Sequence, residues 1–248
     1  HNRVKDKGEN LESFLNNVRS FTEEDYASAL LKGDKLTAAE KAVIAQKLED
    51  FSGLSKDYWL KADLRVTNGE FFQELFRKEG LTVGRLDSRF TGINEDLLSQ
   101  VALTDPQGDA ISPPYIAAYK DYLYNDLKVR KDLSYITTTG SRKDFKWDWN
   151  HSGNIIWNAQ VAVSTLPDMT SAMKRNPNLK ILILNGYYDL ATVFYGVEHS
   201  INHMGLDADL KKNIIMKYYE AGHMMYIHEP SMEKFKKDVD EFIDQTSN

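Results

Sequence analysis

Apolar positions recur with helical spacing through the first third of the chain. Leu11, Phe14, Leu15 and Val18 fall at i, i+3, i+4 and i+7, which predicts a helix with one inward face. Thr22-Glu-Glu-Asp25 has the form of a capping box, so a new helix is expected there, with Tyr26, Ala29 and Leu30 inward and Gly33 as its stop. Thr37-Ala-Ala-Glu40 is a second box, opening a helix through Val43, Ile44, Leu48 and Phe51 that Gly53 closes. Ser55 can cap a short helix holding Tyr58 and Trp59. Thr67-Asn-Gly-Glu70 opens another, with Phe71, Phe72, Leu75 and Phe76 inward and Gly80 beyond its end. Short helices in succession with no strand between them cannot form the centre of a parallel α/β sheet, and they read as a lid or inserted domain.

The pattern changes after Gly80. Residues 80–92 alternate apolar and charged positions between glycines, as an extended segment with turns does. Arg85, Asp87 and Arg89 are expected to pair within it or with neighbours; the competing reading makes Arg85 or Arg89 an anion site. Asp105-Pro-Gln-Gly108 signals a turn, and Ser112-Pro-Pro-Tyr115 a helix start that runs through Ile116, Tyr119, Leu123 and Leu127. Residues 133–137 and 145–149 fit extended pieces around a polar stretch. From Thr165 the order is helix, strand, helix, strand, helix. Thr165 or Asp168 caps a helix with Met169, Ala172 and Met173, stopped by Asn176-Pro177. Ile181, Leu182, Ile183 and Leu184 run without alternation, as in a strand covered on both faces. A helix over residues 192–204, a strand over 214–219 and an amphipathic helix with Met232, Phe235, Val239, Phe242 and Ile243 complete two βα units. The expected class is therefore α/β. Residues 151–248 supply parallel strands with flanking helices, and residues 1–150 a mainly helical lid or insertion, with the boundary placed to within about 15 residues.

Composition narrows the function classes. The 248 residues are 42% hydrophobic with charges of mixed sign, enough for a sizeable core in one large domain or two modest ones. A net charge of -6 argues against nucleic acid as a partner, since phosphate binding needs a basic face. No apolar run approaches the roughly 18 residues of a membrane span, so no membrane partner is expected, and nothing at the start resembles a signal peptide. Without Cys, disulfides, thiol catalysis and Cys-ligated zinc are excluded, and no cofactor or metal is expected.

The chemistry concentrates after the two core strands. In an open parallel sheet the site lies at the carboxyl ends of the strands. Asp189 follows the first core strand and His223 the second. If the strands are neighbours, the carboxylate can reach a ring nitrogen, fix the imidazole tautomer and stabilise the imidazolium formed when the His takes a proton. Gly186 and Gly222 fit tight turns at the strand ends. Each polar residue alone has an ordinary explanation, Asp as a helix N-cap and His as a loop residue. Their order, Asp before His, is that of the last two members of an α/β-hydrolase triad.

Asn185-Gly-Tyr-Tyr-Asp-Leu-Ala-Thr192 followed by Glu220-Ala-Gly-His-Met-Met-Tyr226 resembles the serine carboxypeptidase family in its bacterial branch. The likeness extends upstream to Ala29-Leu-Leu-Lys-Gly-Asp34, to Gly53-Leu-Ser55, to Glu79-Gly-Leu-Thr-Val-Gly-Arg-Leu-Asp-Ser-Arg-Phe-Thr-Gly92 and to Asn176-Pro-Asn-Leu-Lys-Ile181. It implies the C-terminal part of an α/β-hydrolase acting on the C-terminus of a peptide substrate. Asp189 and His223 would be catalytic, and Met224 would line the pocket of the leaving residue. A periplasmic or secreted location is also typical of the family. Val193 stands where family members usually carry Pro.

One element of the resemblance is absent. The family nucleophile lies in Gly-Glu-Ser-Tyr-Gly-Gly, ahead of the insertion, and no Gly-x-Ser-x-Gly occurs between His1 and Asn248. Ser141 is the nearest imitation, but it lacks the second Gly and a preceding strand. The expectation is a C-terminal half that supplies base and orienting acid to a nucleophile carried by a missing N-terminal half, and that is inactive alone. The alternatives are a catalytically inert interaction domain, or an esterase or acyltransferase on the same scaffold. His199 and His203, with Glu198, have zinc-compatible i, i+4 spacing but no third ligand, and read as a solvated helix face. Trp147, Trp149 and Tyr135 read as packing rather than a recognition surface.

Overall fold

Asn10 opens the first helix. In a computed structural model of the protein, its side chain accepts the backbone N–H of Ser13 and caps α1 (Leu11–Ser20). The structure describes residues 1–5, 8–129, 132, 135–138, 144–146, 148 and 164–247. Thr22 does not start a new helix as the capping box implied. Its hydroxyl donates to the Val18 carbonyl, and the chain runs on through a π-helical turn (Phe21–Tyr26) into α2 (Ala27–Lys32). A capping box needs an extended residue at the helix entrance. Here the last turn of α1 already supplies acceptors to the N–H groups that follow, so nothing requires a cap. Phe21 and Tyr26 stack across the wide turn, ring centroids 6.1 Å apart.

The other boxes form. Thr37 and Glu40 cap each other's backbone at the start of α3 (Ala38–Ser52), and Thr67 and Glu70 do so at α5 (Asn68–Glu74). Ser55 caps α4 (Lys56–Lys61) through the Tyr58 N–H. These helices enclose Phe21, Ala45, Leu48, Leu54, Trp59 and Leu64, with Leu30, Ile44, Phe51 and Phe71 packed around them. Each large side chain buried there contributes roughly 1.5–3 kcal/mol. The indole N–H of Trp59 donates to Ser52 at 3.1 Å, so the ring is buried without an orphaned donor.

The extended segment after Gly80 is an antiparallel hairpin. β1 (Leu81–Val83) pairs with β2 (Thr91–Ile93) in the register Leu81 to Ile93 and Val83 to Thr91, and residues 84–90 form its loop. The turn expected at Asp105 is instead the start of α6 (Pro106–Asp121), with Pro113 and Pro114 inside the helix rather than at its start. Asp105 accepts the Gln107 N–H, and Pro106 sits where its missing N–H is harmless, so this tetrapeptide is a helix entrance. Residues 135–137 are not in a strand, nor are Phe145, Lys146 and Asp148. Leu133, Ser134, Ser141, Trp147 and Trp149, and the boundary near residue 150, lie outside the described residues.

The second part of the chain has α7 (Leu166–Arg175), β3 (Ile181–Gly186), α8 (Phe194–Asn202), a short α9 (Ala208–Lys211), β4 (Ile214–Tyr219) and α10 (Glu229–Thr246). The strands β3 and β4 form a small parallel sheet flanked by helices in a mixed, mainly helical chain. The expected order of helix and strand is present, with α9 added. Residues 181–184 are half-buried rather than covered on both faces. A sheet of two strands among the described residues offers little surface for helices to cover.

The chain divides into two units. One comprises His1–Gly108, Asn185–Tyr195 and Tyr218–Phe235, and holds the core around Trp59. The other comprises Asp109–Leu184, Gly196–Lys217 and Lys236–Asn248; its core is Met173, Ile201 and Met204, with Leu166, Ile181, Ile183 and Ile214 against them. The loops that carry Asp189 and His223 both belong to the first. Among the described residues no helix is long and apolar enough to cross a membrane.

Candidate active site

The ends of β3 and β4 run side by side into two loops. The Tyr187 N–H donates to the Tyr219 carbonyl at 3.0 Å and the Tyr188 N–H to the Ala221 carbonyl at 3.0 Å, so the pairing continues past both strands. The loops touch backbone to backbone. A Cβ on Gly186 would strike the carbonyl oxygens of Gly222 and Ala221, and one on Gly222 would strike the Leu86 carbonyl and the Asp87 side chain. This closeness places the Asp189 carboxylate against the His223 ring, with Nδ1 2.9 Å from Oδ2.

Asp189 divides its oxygens between two tasks. Oδ1 accepts the backbone N–H groups of Ala191 at 2.7 Å and Thr192 at 2.9 Å, which closes a side-chain-to-backbone turn in the loop; Asp189 is not a helix N-cap, because α8 begins only at Phe194. Oδ2 accepts the Thr192 hydroxyl at 2.6 Å and faces the imidazole. One oxygen thus orders the loop and the other faces the imidazole. The carboxylate is buried, with its bonds made in place of water.

These bonds also determine the imidazole tautomer. Thr192 Oγ1 lies 3.2 Å from His223 Nδ1, but its proton is committed to Asp189. Nδ1 therefore faces two acceptors and carries the hydrogen, which leaves the lone pair on Nε2. The His223 side chain is 42% exposed against 6% for Asp189, so the imidazole is the accessible member of the pair. The Thr192 hydroxyl was not singled out from the sequence. Its signal is the Asp-x-x-Thr spacing, which returns a hydroxyl to the carboxylate that starts the turn.

Met224 follows the imidazole directly; it is half-buried at the entrance to a 3-10 turn (Met225–Ile227). An apolar hollow of about 530 Å3 lies in the same unit, walled by Phe14, Leu15, Phe51, Phe71 and Leu75 and by Tyr187, Tyr188 and Leu190, which flank Asp189. Met224 does not line it. Of the two arginines of the hairpin loop, Arg89 pairs within the loop, as expected. Arg89 grips the buried Asp87 with Nε at 3.0 Å and Nη2 at 2.7 Å, and this carboxylate holds its guanidinium above its ordinary pKa. His199, exposed on α8, and His203, exposed just past its end, stack with ring centroids 4.0 Å apart. Among the described residues no group of three or more His, Asp or Glu side chains is placed to hold a metal ion. Tyr135 packs its ring on Tyr119 at 5.0 Å.

Comparison with models of known families, with curated proteins and with solved structures finds no match.

Proposed function

We propose that Asp189 and His223 are the orienting acid and the general base of a serine-type hydrolase, in the C-terminal part of an α/β-hydrolase of the serine carboxypeptidase kind. The observation that carries the reading is the 2.9 Å bond from His223 Nδ1 to a buried, fully bonded carboxylate. It is supported by the position of both residues after adjacent parallel strands, in the chain order of the hydrolase triad. Nε2 would take the proton of a Ser hydroxyl as it attacks the scissile carbonyl, then return it to the leaving amine. Asp189 would hold the tautomer and stabilise the imidazolium between those steps. The substrate would be a peptide at its C-terminus, with Met224 beside the leaving residue. The nucleophile and the oxyanion donors would come from a segment outside His1–Asn248, which contains no Gly-x-Ser-x-Gly.

A fluorophosphonate probe tests the division of labour. The 248-residue chain is expected to remain unlabelled, having a base without a nucleophile. The polypeptide encoded by its whole reading frame is expected to label on a Ser upstream of His1 and to release C-terminal residues from blocked peptides. Labelling of the isolated chain, or a full frame that neither labels nor hydrolyses, would overturn the proposal.

A further inference from the structure

One segment is bonded to both loops of the site. The Arg85 carbonyl accepts the Leu190 N–H at 3.1 Å, and the Ser88 N–H donates to the Tyr188 carbonyl at 2.9 Å, so it brackets Asp189 on either side. The Leu86 carbonyl accepts the N–H of His223 itself at 2.7 Å. The Arg89 Nη1 donates to the Glu220 carbonyl at 3.0 Å, and its guanidinium lies over the Tyr188 ring, 4.7 Å from the centroid. Residues 84–89 of the hairpin loop therefore touch the Asp loop and the His loop through backbone groups and the Arg89 side chain.

The segment is itself held rigid. At one end the Asp105 carboxylate accepts the N–H groups of Arg85 at 3.2 Å and Leu86 at 3.0 Å. At the other, Asp87 receives the Arg89 fork and the Arg89 backbone N–H at 2.9 Å. Asp87 is 1% exposed and meets the Gly222 backbone directly. The Asp87 carboxylate is buried while the Arg89 side chain is 37% exposed, and the two-point fork between them fixes the direction of the guanidinium.

We propose that residues 84–89 form a clamp that sets the separation of Asp189 and His223, with Arg89 as its positioning residue. The clamp bonds the two loops through the Leu190 and His223 N–H groups and the Tyr188 and Glu220 carbonyls, so its effect is exerted through the loops. A site whose parts lie on separate loops needs such a brace, because small displacements of a base are enough to lose productive geometry. The proposal rests on the acid–base reading of Asp189 and His223.

The test uses the full chain, labelled with nitrogen-15, and the variants Arg89→Lys and Arg89→Met. Lys retains the charge without the two-point fork, and Met removes both. Amide hydrogen exchange reports the His223 and Leu190 N–H groups, whose acceptors are the Leu86 and Arg85 carbonyls. In both variants these two amides are expected to exchange at least about 10-fold faster, Met exceeding Lys, as for loss of a charge-assisted anchor. The amides of α3 should not change, and the His223 Nδ1 proton resonance should broaden or vanish. Unchanged protection of His223 and Leu190 in both variants overturns the clamp. Equal loosening of α3 also overturns it, since Arg89 would then support the unit as a whole. If the unsubstituted chain shows no Nδ1 proton bonded to Asp189, the acid–base reading fails instead, and the amide comparison still decides the clamp.

Discussion

Replacing Asp189 by Asn preserves the shape of the side chain and reverses its logic. Four donors surround the carboxylate: two backbone N–H groups on Oδ1, and the Thr192 hydroxyl and the imidazole on Oδ2. If the amide oxygen stays with the backbone pair, the NH2 group faces Thr192 and His223. The hydroxyl can turn to accept, but Nδ1–H cannot, so the ring proton moves to Nε2 and the base is lost. The bonds that remain become neutral, each worth about 1 kcal/mol less than with a charged acceptor. With the site buried, the expected loss of stability is about 2–4 kcal/mol, read from urea denaturation of the 248-residue chain. The tautomer is read from the nitrogen-15 shifts of the His223 ring. Under the proposed function, the same change should lower turnover by a factor on the order of 10⁴. Thr192→Val, which removes only the hydroxyl, should cost about 1 kcal/mol and leave the hydrogen on Nδ1. A loss below about 1 kcal/mol in Asp189→Asn, with Nδ1 still protonated, would refute the reasoning.

Other perturbations reach different parts of the molecule. Gly222→Ala adds a methyl group where the Leu86 carbonyl and Asp87 already sit, so a loss of about 1–3 kcal/mol is expected in chemical denaturation, and a neutral result would mean that the loops are less closely packed. Met173→Ala empties a fully buried position in the second unit and should cost about 2–5 kcal/mol by the same measurement; less than 1 kcal/mol would contradict its burial. The carboxyls of Glu40 and Glu70 lie below the ordinary value of 4.5, chiefly because the backbone N–H groups of Thr37 and Thr67 donate to them. Their contribution is therefore complete above that value and is lost as the pH falls below it through the depressed values. Glu40→Gln with Glu70→Gln should flatten the acid side of the stability profile, and an unaltered slope would count against the boxes.

What could be read from the chain was what is local. Thr37 to Glu40 and Thr67 to Glu70 close their boxes within a single turn, so three-residue spacing was sufficient. Thr22 has the same spacing and fails, because a cap competes with the turn before it and that turn is already helical. Asp189 and His223 were legible because parallel strands bring their carboxyl ends to one edge, and order alone then places the loops. The brace was not: Leu86 reaches His223, and Arg89 reaches Glu220, across more than half of the chain, with no periodicity to mark either partner. The half-burial of residues 181–184 was equally hidden, since four apolar residues in a row say what a strand could bury and not what is there to cover it.

The wide turn at Phe21–Tyr26 bears on which changes of length the first helix tolerates. A π turn is equivalent to an α-helix carrying one surplus residue. Residues 23–25 are exposed, while Phe21 is buried and Tyr26 half-buried on the inward side. Deleting Glu24 would let the turn relax to ordinary α geometry and return Tyr26 to the same inward stripe, with α1 and α2 otherwise unaltered. A deletion of the same size within α3, where no slack exists, would rotate half of its contacts out of the core around Trp59. The turn after the first helix is thus a site where the chain can lose a residue without rewriting the sequence on either side.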